Sequence, residues 1–145
     1  MTLRLTEEGN PKALLKADTA VTPAGESRSQ LNGVELEFET AGGGRGTLTS
    51  RTGEYDPESQ LMIARGNVVL VVPGEGDQGT RTIRSEELNW DQPGNRVWST
   101  VTTRIEENDK TVITRTFTSD SRFTNIQGTG LTSENVQVGE GGLQF

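Results

Sequence analysis

Residues 86–98, EELNWDQPGNRVW, carry both tryptophans of the chain, one on each side of a turn at 92–95. Pro93, Gly94 and Asn95 supply turn chemistry, and the flanking segments are rich in strand-forming residues, so the stretch predicts a β-hairpin. A hairpin closes without indoles. The rings, and the apolar residues in step with them, therefore raise the question of what they are gathered to bury.

The same two-residue period runs outward along the chain. In GVELEFET (33–40), Val34, Leu36 and Phe38 share one face and Glu35, Glu37 and Glu39 the other, the signature of a half-buried strand with a solvated glutamate face. AGGGRG (41–46) reads as a turn and TLTSR as a short strand after it. TGEYDPESQLMIARGNVVLVV reads as two hairpins, with turn chemistry at DPES and a bulge or tight bend at RGN. PGEGDQG (73–79) and NDK (108–110) are further turns, and RFTNIQ and LTSENVQV are the last strand-like segments. NPKALLKADTA fits two readings. Asn10 and Pro11 could open a helix, yet Ala13, Leu15, Ala17, Thr19 and Val21 alternate.

Composition agrees with many short strands. Leu, Ile, Val and Phe total 32 of 145 residues, just above the roughly 20% below which disorder is expected. Twenty threonines and eleven valines favour a pleated surface, and eighteen glycines favour tight turns. The length suits one domain, taken as residues 1–138 with 139–145 as a frayed tail. The net charge of −7 argues against nucleic acid as a partner. The absence of histidine and cysteine removes the commonest general base, the commonest zinc ligand and any thiolate site. No stretch approaches the ~20 apolar residues of a membrane span.

The motifs that could carry chemistry reduce to structure. GEGDQG matches G-x-G-x-x-G, but the dinucleotide reading needs a helix next, and TRTIRSEEL alternates as a strand. Asp91, with Asn89 and Asn95, suits a turn better than a calcium loop. Glu86/Glu87 and Glu106/Glu107 point to opposite strand faces and cannot act on one bond. The sequence thus predicts no enzyme, no cofactor and no metal site.

What remains is an apolar stripe: Val34, Leu36, Phe38, Leu48, Tyr55, Leu61, Ile63, Ile83, Leu88, Trp90, Val97, Val101, Ile105, Ile113, Phe117, Phe123 and Ile126. It could plug itself as a core between sheets or line a trough for acyl chains. The inward parity of the run 68–72 stays open, because both of its faces are apolar. GEYDPESQL and ELNWDQPGNRV echo one another, with Tyr55 and Trp90 35 positions apart, and FTSDSRF (117–123) is a third, worn copy. The echo suggests stacked hairpin units.

The ordered set GEYD, ARGNVVLV, SEELNWD, NRVWS and FTSDSRFTN, with GVELEFET before it and the opening LTEEGNPKALLKADTAV, resembles the LptC family of lipopolysaccharide export over residues 2–133. Thr114 and Thr116 stand where the family often has glycine before the phenylalanine matching Phe117. The resemblance implies an all-β, twisted, boat-shaped antiparallel β-jellyroll of the OstA/LptC-like type, open along one side, and makes NPKALLKADTA a strand. It implies a non-enzymatic periplasmic domain whose apolar stripe holds lipopolysaccharide acyl chains. A membrane-anchoring helix would precede the sequence. Implied partners are the jellyrolls of an LptF/LptG-type transporter, at the strand 2–6, and of an LptA-type bridge protein, at the strand 131–138, both by edge pairing. Head-to-tail self-association follows the same logic, and headgroup phosphates would lie near rim arginines such as Arg51, Arg84 or Arg115. An LptA-like bridge protein is the nearest alternative, followed by a purely structural β-solenoid with a self-filled core.

Overall fold

In a computed structural model of the chain, the backbone is described for residues 2–7, 10–39, 44–74, 79–91, 93–107, 110–120, 126–129 and 132–134. These residues are all-β. Six long or medium strands come first: β1 (Thr2–Glu7), β2 (Asn10–Val21), β3 (Ser29–Glu39), β4 (Arg45–Asp56), β5 (Leu61–Val72) and β6 (Arg81–Asp91). Six short ones follow: β7 (Arg96–Ser99), β8 (Thr103–Glu107), β9 (Lys110–Thr114), β10 (Thr116–Ser119), β11 (Gln127–Thr129) and β12 (Thr132–Glu134). Every ladder is antiparallel.

The sheet runs β1-β2-β3-β4-β5-β6 and then forks. Residues 89–91 of β6 pair with β7, which continues to β10 and β11, while residues 81–85 pair with β8, which continues to β9 and β12. The fork exists because β3 to β6 are each bent near the middle, and the bends line up. Gly33 of β3 has φ +67°, the ladders slip between Thr49 and Thr52 in β4 and between Arg65 and Val68 in β5, and Gly66 and Asn67 have φ +81° and +48°. A Cβ on Gly66 would pack against Arg51, which places the β4 and β5 bends side by side. Extra residues in a ladder bend the strand and raise its twist, so a row of them folds one sheet into two arms. Arm A holds the strand segments 34–39, 45–50, 68–72 and 81–85, with β8 and β9. Arm B holds 29–32, 52–56, 61–65 and 87–91, with β7 and β10.

At the bends of β4 and β6, and where β7 ends, a serine caps the disrupted backbone. The Ser50 hydroxyl donates to the Thr52 carbonyl and that of Ser85 to the Glu87 carbonyl, both at 2.9 Å, and Ser99 donates to the Val101 carbonyl at 3.3 Å. Ser50 and Ser85 are 35 residues apart, the spacing of Tyr55 and Trp90. The hairpin turns match at that offset too. Asp56 Oδ1 accepts from the Glu58 N–H and Asp91 Oδ1 from the Gly94 N–H, and each turn ends on a left-handed residue, Gln60 (φ 58°) or Asn95 (φ 52°). The sequence echo is thus a repeated bent hairpin. Its third copy at 117–123 extends outside the described residues.

The structure decides several local expectations. NPKALLKADTAV is strand: Leu15 pairs with Leu36 and Ala17 with Val34, so its apolar residues complete a ladder that a helix would leave open. β4 is one strand of 12 residues, not the short TLTSR; RGN is a bulge, as read, but it lies inside the single strand β5, so the stretch forms one hairpin where two were expected. GEGDQG leads into strand β6, which rules out the dinucleotide loop. Thr114 and Thr116 flank the break at Arg115 between β9 and β10, and the space a Cβ on Gly128 would need is filled by the Thr114 methyl. The tail 139–145 lies outside the described residues.

Candidate functional site

The inner faces of the two arms form one apolar cluster running from Leu15 to Ile126. Its members are 0–8% exposed, so the arms fill the space between them with their own side chains. Twelve of the expected inward residues lie in it: Val34, Leu36, Phe38, Leu48, Tyr55, Ile83, Leu88, Trp90, Val97, Ile105, Phe117 and Ile126.

Four expected positions do not face inward. Leu61 and Ile63 are half-buried on the outer face, because Met62 pairs with Trp90 and Ala64 with Leu88 on the inner one. Ile113 is half-buried and faces outward, because its neighbour Val112 pairs with the inward Ile105. Val101 is 37% exposed, since the chain turns there from β7 to β8, with the Val101 N–H donating to the Ser99 hydroxyl. Phe123 lies outside the described residues. The chain's rings also divide: Trp90 pairs with Val97 on the inner face, while Trp98 is half-buried outside with the Arg96 guanidinium 4.7 Å above it.

Leu15, Ala17, Leu31, Met62, Ala64, Val68, Leu70 and Val72 join the core although they were not in the stripe. The run 68–72 thereby acquires a parity, with Val68, Leu70 and Val72 inside. No alternation could assign it, because parity past a bulge depends on how many residues the bulge holds.

The arms meet at their far ends. Phe38, five residues beyond the bend of β3 in arm A, contacts Trp90, four residues beyond Glu86 in arm B. The ring centroids are 4.9 Å apart and the planes 62° apart. Phe38 reaches this position by lying over Gly46, its neighbour on β4, where any Cβ would occupy the ring's space. Edge-to-face rings at this distance attract beyond their buried area.

The outer face is charged. Arg65 bridges Glu54 (3.0 Å) and Glu87 (3.5 Å), Arg84 binds Glu106 (2.9 Å), and Glu37 lies near both Arg45 and Lys16. Such exposed pairs add little stability each, but they keep the convex side wet. Asp56 is held below its ordinary range by the Glu58 backbone N–H first, then by Ser27 and Arg28. Tyr55 beside it is raised, mainly by burial. Among the described residues no cluster of three acidic side chains could hold a metal, and no helix is long and apolar enough to cross a membrane.

No curated protein matches the sequence significantly. Among solved structures, LptH from Pseudomonas aeruginosa, described as the LptA-homologous periplasmic component of the conserved lipopolysaccharide transport device, superposes with a TM-score of 0.63 at 12% identity. The match covers 87% of this chain and 95% of LptH. The bent, forked sheet is therefore the LptA-like jellyroll. The sequence also matches the family described as "Lipopolysaccharide-assembly, LptC-related" over residues 1–137, so this chain belongs to the LptC family of lipopolysaccharide assembly.

Proposed function

We propose that the chain carries lipopolysaccharide by its acyl chains, which enter between the two arms and move along the inner face to the next jellyroll. The observation that supports this most is the segregation of the bent sheet: one apolar cluster from Leu15 to Ile126 on the inner side, with the ion pairs outside. A lipid crossing water exposes tails at a cost of about 0.8 kcal/mol per CH₂. An apolar slot removes that cost at each position without a deep minimum that would hold the lipid. The closed interior implies that tails replace existing contacts, and the Phe38–Trp90 contact is where the arms part.

Hand-off uses the sheet edges. Among the described residues β1 ends the sheet on one side, and β11 and β12 end the two limbs on the other. Open edges accept further strands by β-augmentation. In this reading β1 meets the transporter's jellyroll and the last strand that of the bridge protein, while an N-terminal helix anchors the domain in the inner membrane.

The tight packing of the cluster favours a second reading, a structural module whose core never opens. Photo-crosslinking in cells separates the two. A photoreactive residue at Phe38 or Trp90 is expected to label lipopolysaccharide, and one at the outward Glu37 is not. Labelling at Glu37 alone, or none at the inner positions, would establish the structural module.

A further inference from the structure

Among the described residues one charged side chain is buried, Arg81, at 8% exposure. It opens β6 on the inner face, in step with Ile83 and Ser85. The ladder registers place it in the rim row of arm A. Phe38 pairs with Gly46, Thr47 with Val71 brings Gly46 level with Val72, and Val72 pairs with Arg81. The row that carries Phe38 to its contact with Trp90 thus ends on a guanidinium, with Glu107 as the register partner on β8.

We infer that Arg81 binds the anionic group of the lipid at the rim of the slot, so that the site selects anionic amphiphiles over neutral ones. The inference rests on the reading that acyl chains occupy the slot. The guanidinium stands where the inner face meets the rim, with Glu107 opposite it on β8. A planar fork of donors matches phosphate or carboxylate oxygens. The protein's net charge of −7 repels anions at long range, so carriage of an anionic lipid calls for a local cation where headgroup and tail divide. Glu107 would give up part of its attraction to Arg81 when the ligand arrives.

The test measures binding of two amphiphiles with the same acyl chain, lysophosphatidic acid and the neutral monoacylglycerol, to the full chain by calorimetry below their micelle concentrations. Wild type is expected to prefer the anionic amphiphile at least tenfold. Arg81→Gln is expected to lose that preference while binding monoacylglycerol as before, and Arg81→Lys to restore part of it. Arg81→Met keeps the bulk without the charge and is expected to fold as stably as wild type, with the preference gone. Inorganic phosphate at equal concentration is expected not to compete, which separates a headgroup site from a free-phosphate site. Equal preference in wild type and Arg81→Gln would overturn the inference but leave the slot standing, as would parallel loss of both ligands in Arg81→Met. Failure of wild type to bind either amphiphile would overturn the slot and the inference together.

Discussion

Phe38 and Trp90 lie on strands separated by two others, yet their rings touch edge to face at 4.9 Å, because the aligned bends of β3 to β6 fold one arm onto the other. The contact reports the whole fold: it forms only if every bend in the row is in place. It also marks the seam between the arms.

Truncating the indole should be costly. Trp90 is 6% exposed within the cluster, and Trp90→Ala is expected to lose about 3–5 kcal/mol, read from the urea midpoint at unchanged slope. A loss under about 1 kcal/mol would mean that the ring lines an open groove in solution.

Gly46 tests the seam from the opposite direction. A Cβ there falls within the Phe38 ring, so Gly46→Val is expected to overpack by about 1–3 kcal/mol and to push Phe38 off Trp90. Near-ultraviolet circular dichroism should lose the coupled aromatic signal while the far-ultraviolet strand signal persists.

The fork depends on buried hydroxyls. Ser85 donates to the Glu87 carbonyl, receives the Thr103 hydroxyl at 3.2 Å, and lies 3.3 Å from the Ser99 hydroxyl. Ser85→Ala leaves those partners short of one group and is expected to cost about 1–3 kcal/mol. Hydrogen exchange should quicken first at the β6–β8 ladder.

The β4–β5 turn carries an acid-sensitive contribution. Asp56 has a lowered pKa in the folded chain, so the stability it adds is present above its unfolded value and is lost as pH falls through the folded one. Stability measured from neutral pH down through the carboxylate range should drop, and Asp56→Asn should flatten part of that drop. An unchanged pH profile in the variant would remove Asp56 from the turn's support.

Period-two alternation was enough to read the strands and most of the inner face from residues alone. Val34, Leu36, Phe38, Leu48, Ile83 and Trp90 are buried where the pattern put them, because each pleat sends alternate side chains to opposite faces whatever the rest of the chain does. The turn residues between runs, and the 35-residue echo, are likewise local signals. Errors gathered where the strand's own pattern is ambiguous. In LMIA both parities are apolar, so alternation cannot choose between them, and the partner strand seats Met62 opposite Trp90 and Ala64 opposite Leu88.

By itself, then, the sequence determined that the chain is a strand-and-turn protein with one apolar and one charged face, since backbone geometry and side-chain polarity act within a few residues. Tertiary structure alone decided which parity survives each bulge, that the aligned bends divide one sheet into two arms, that Phe38 reaches Trp90, and that Arg81 is buried at the rim. Those outcomes depend on ladder registers between strands far apart in the chain, where a slip of one residue exchanges the inside for the outside.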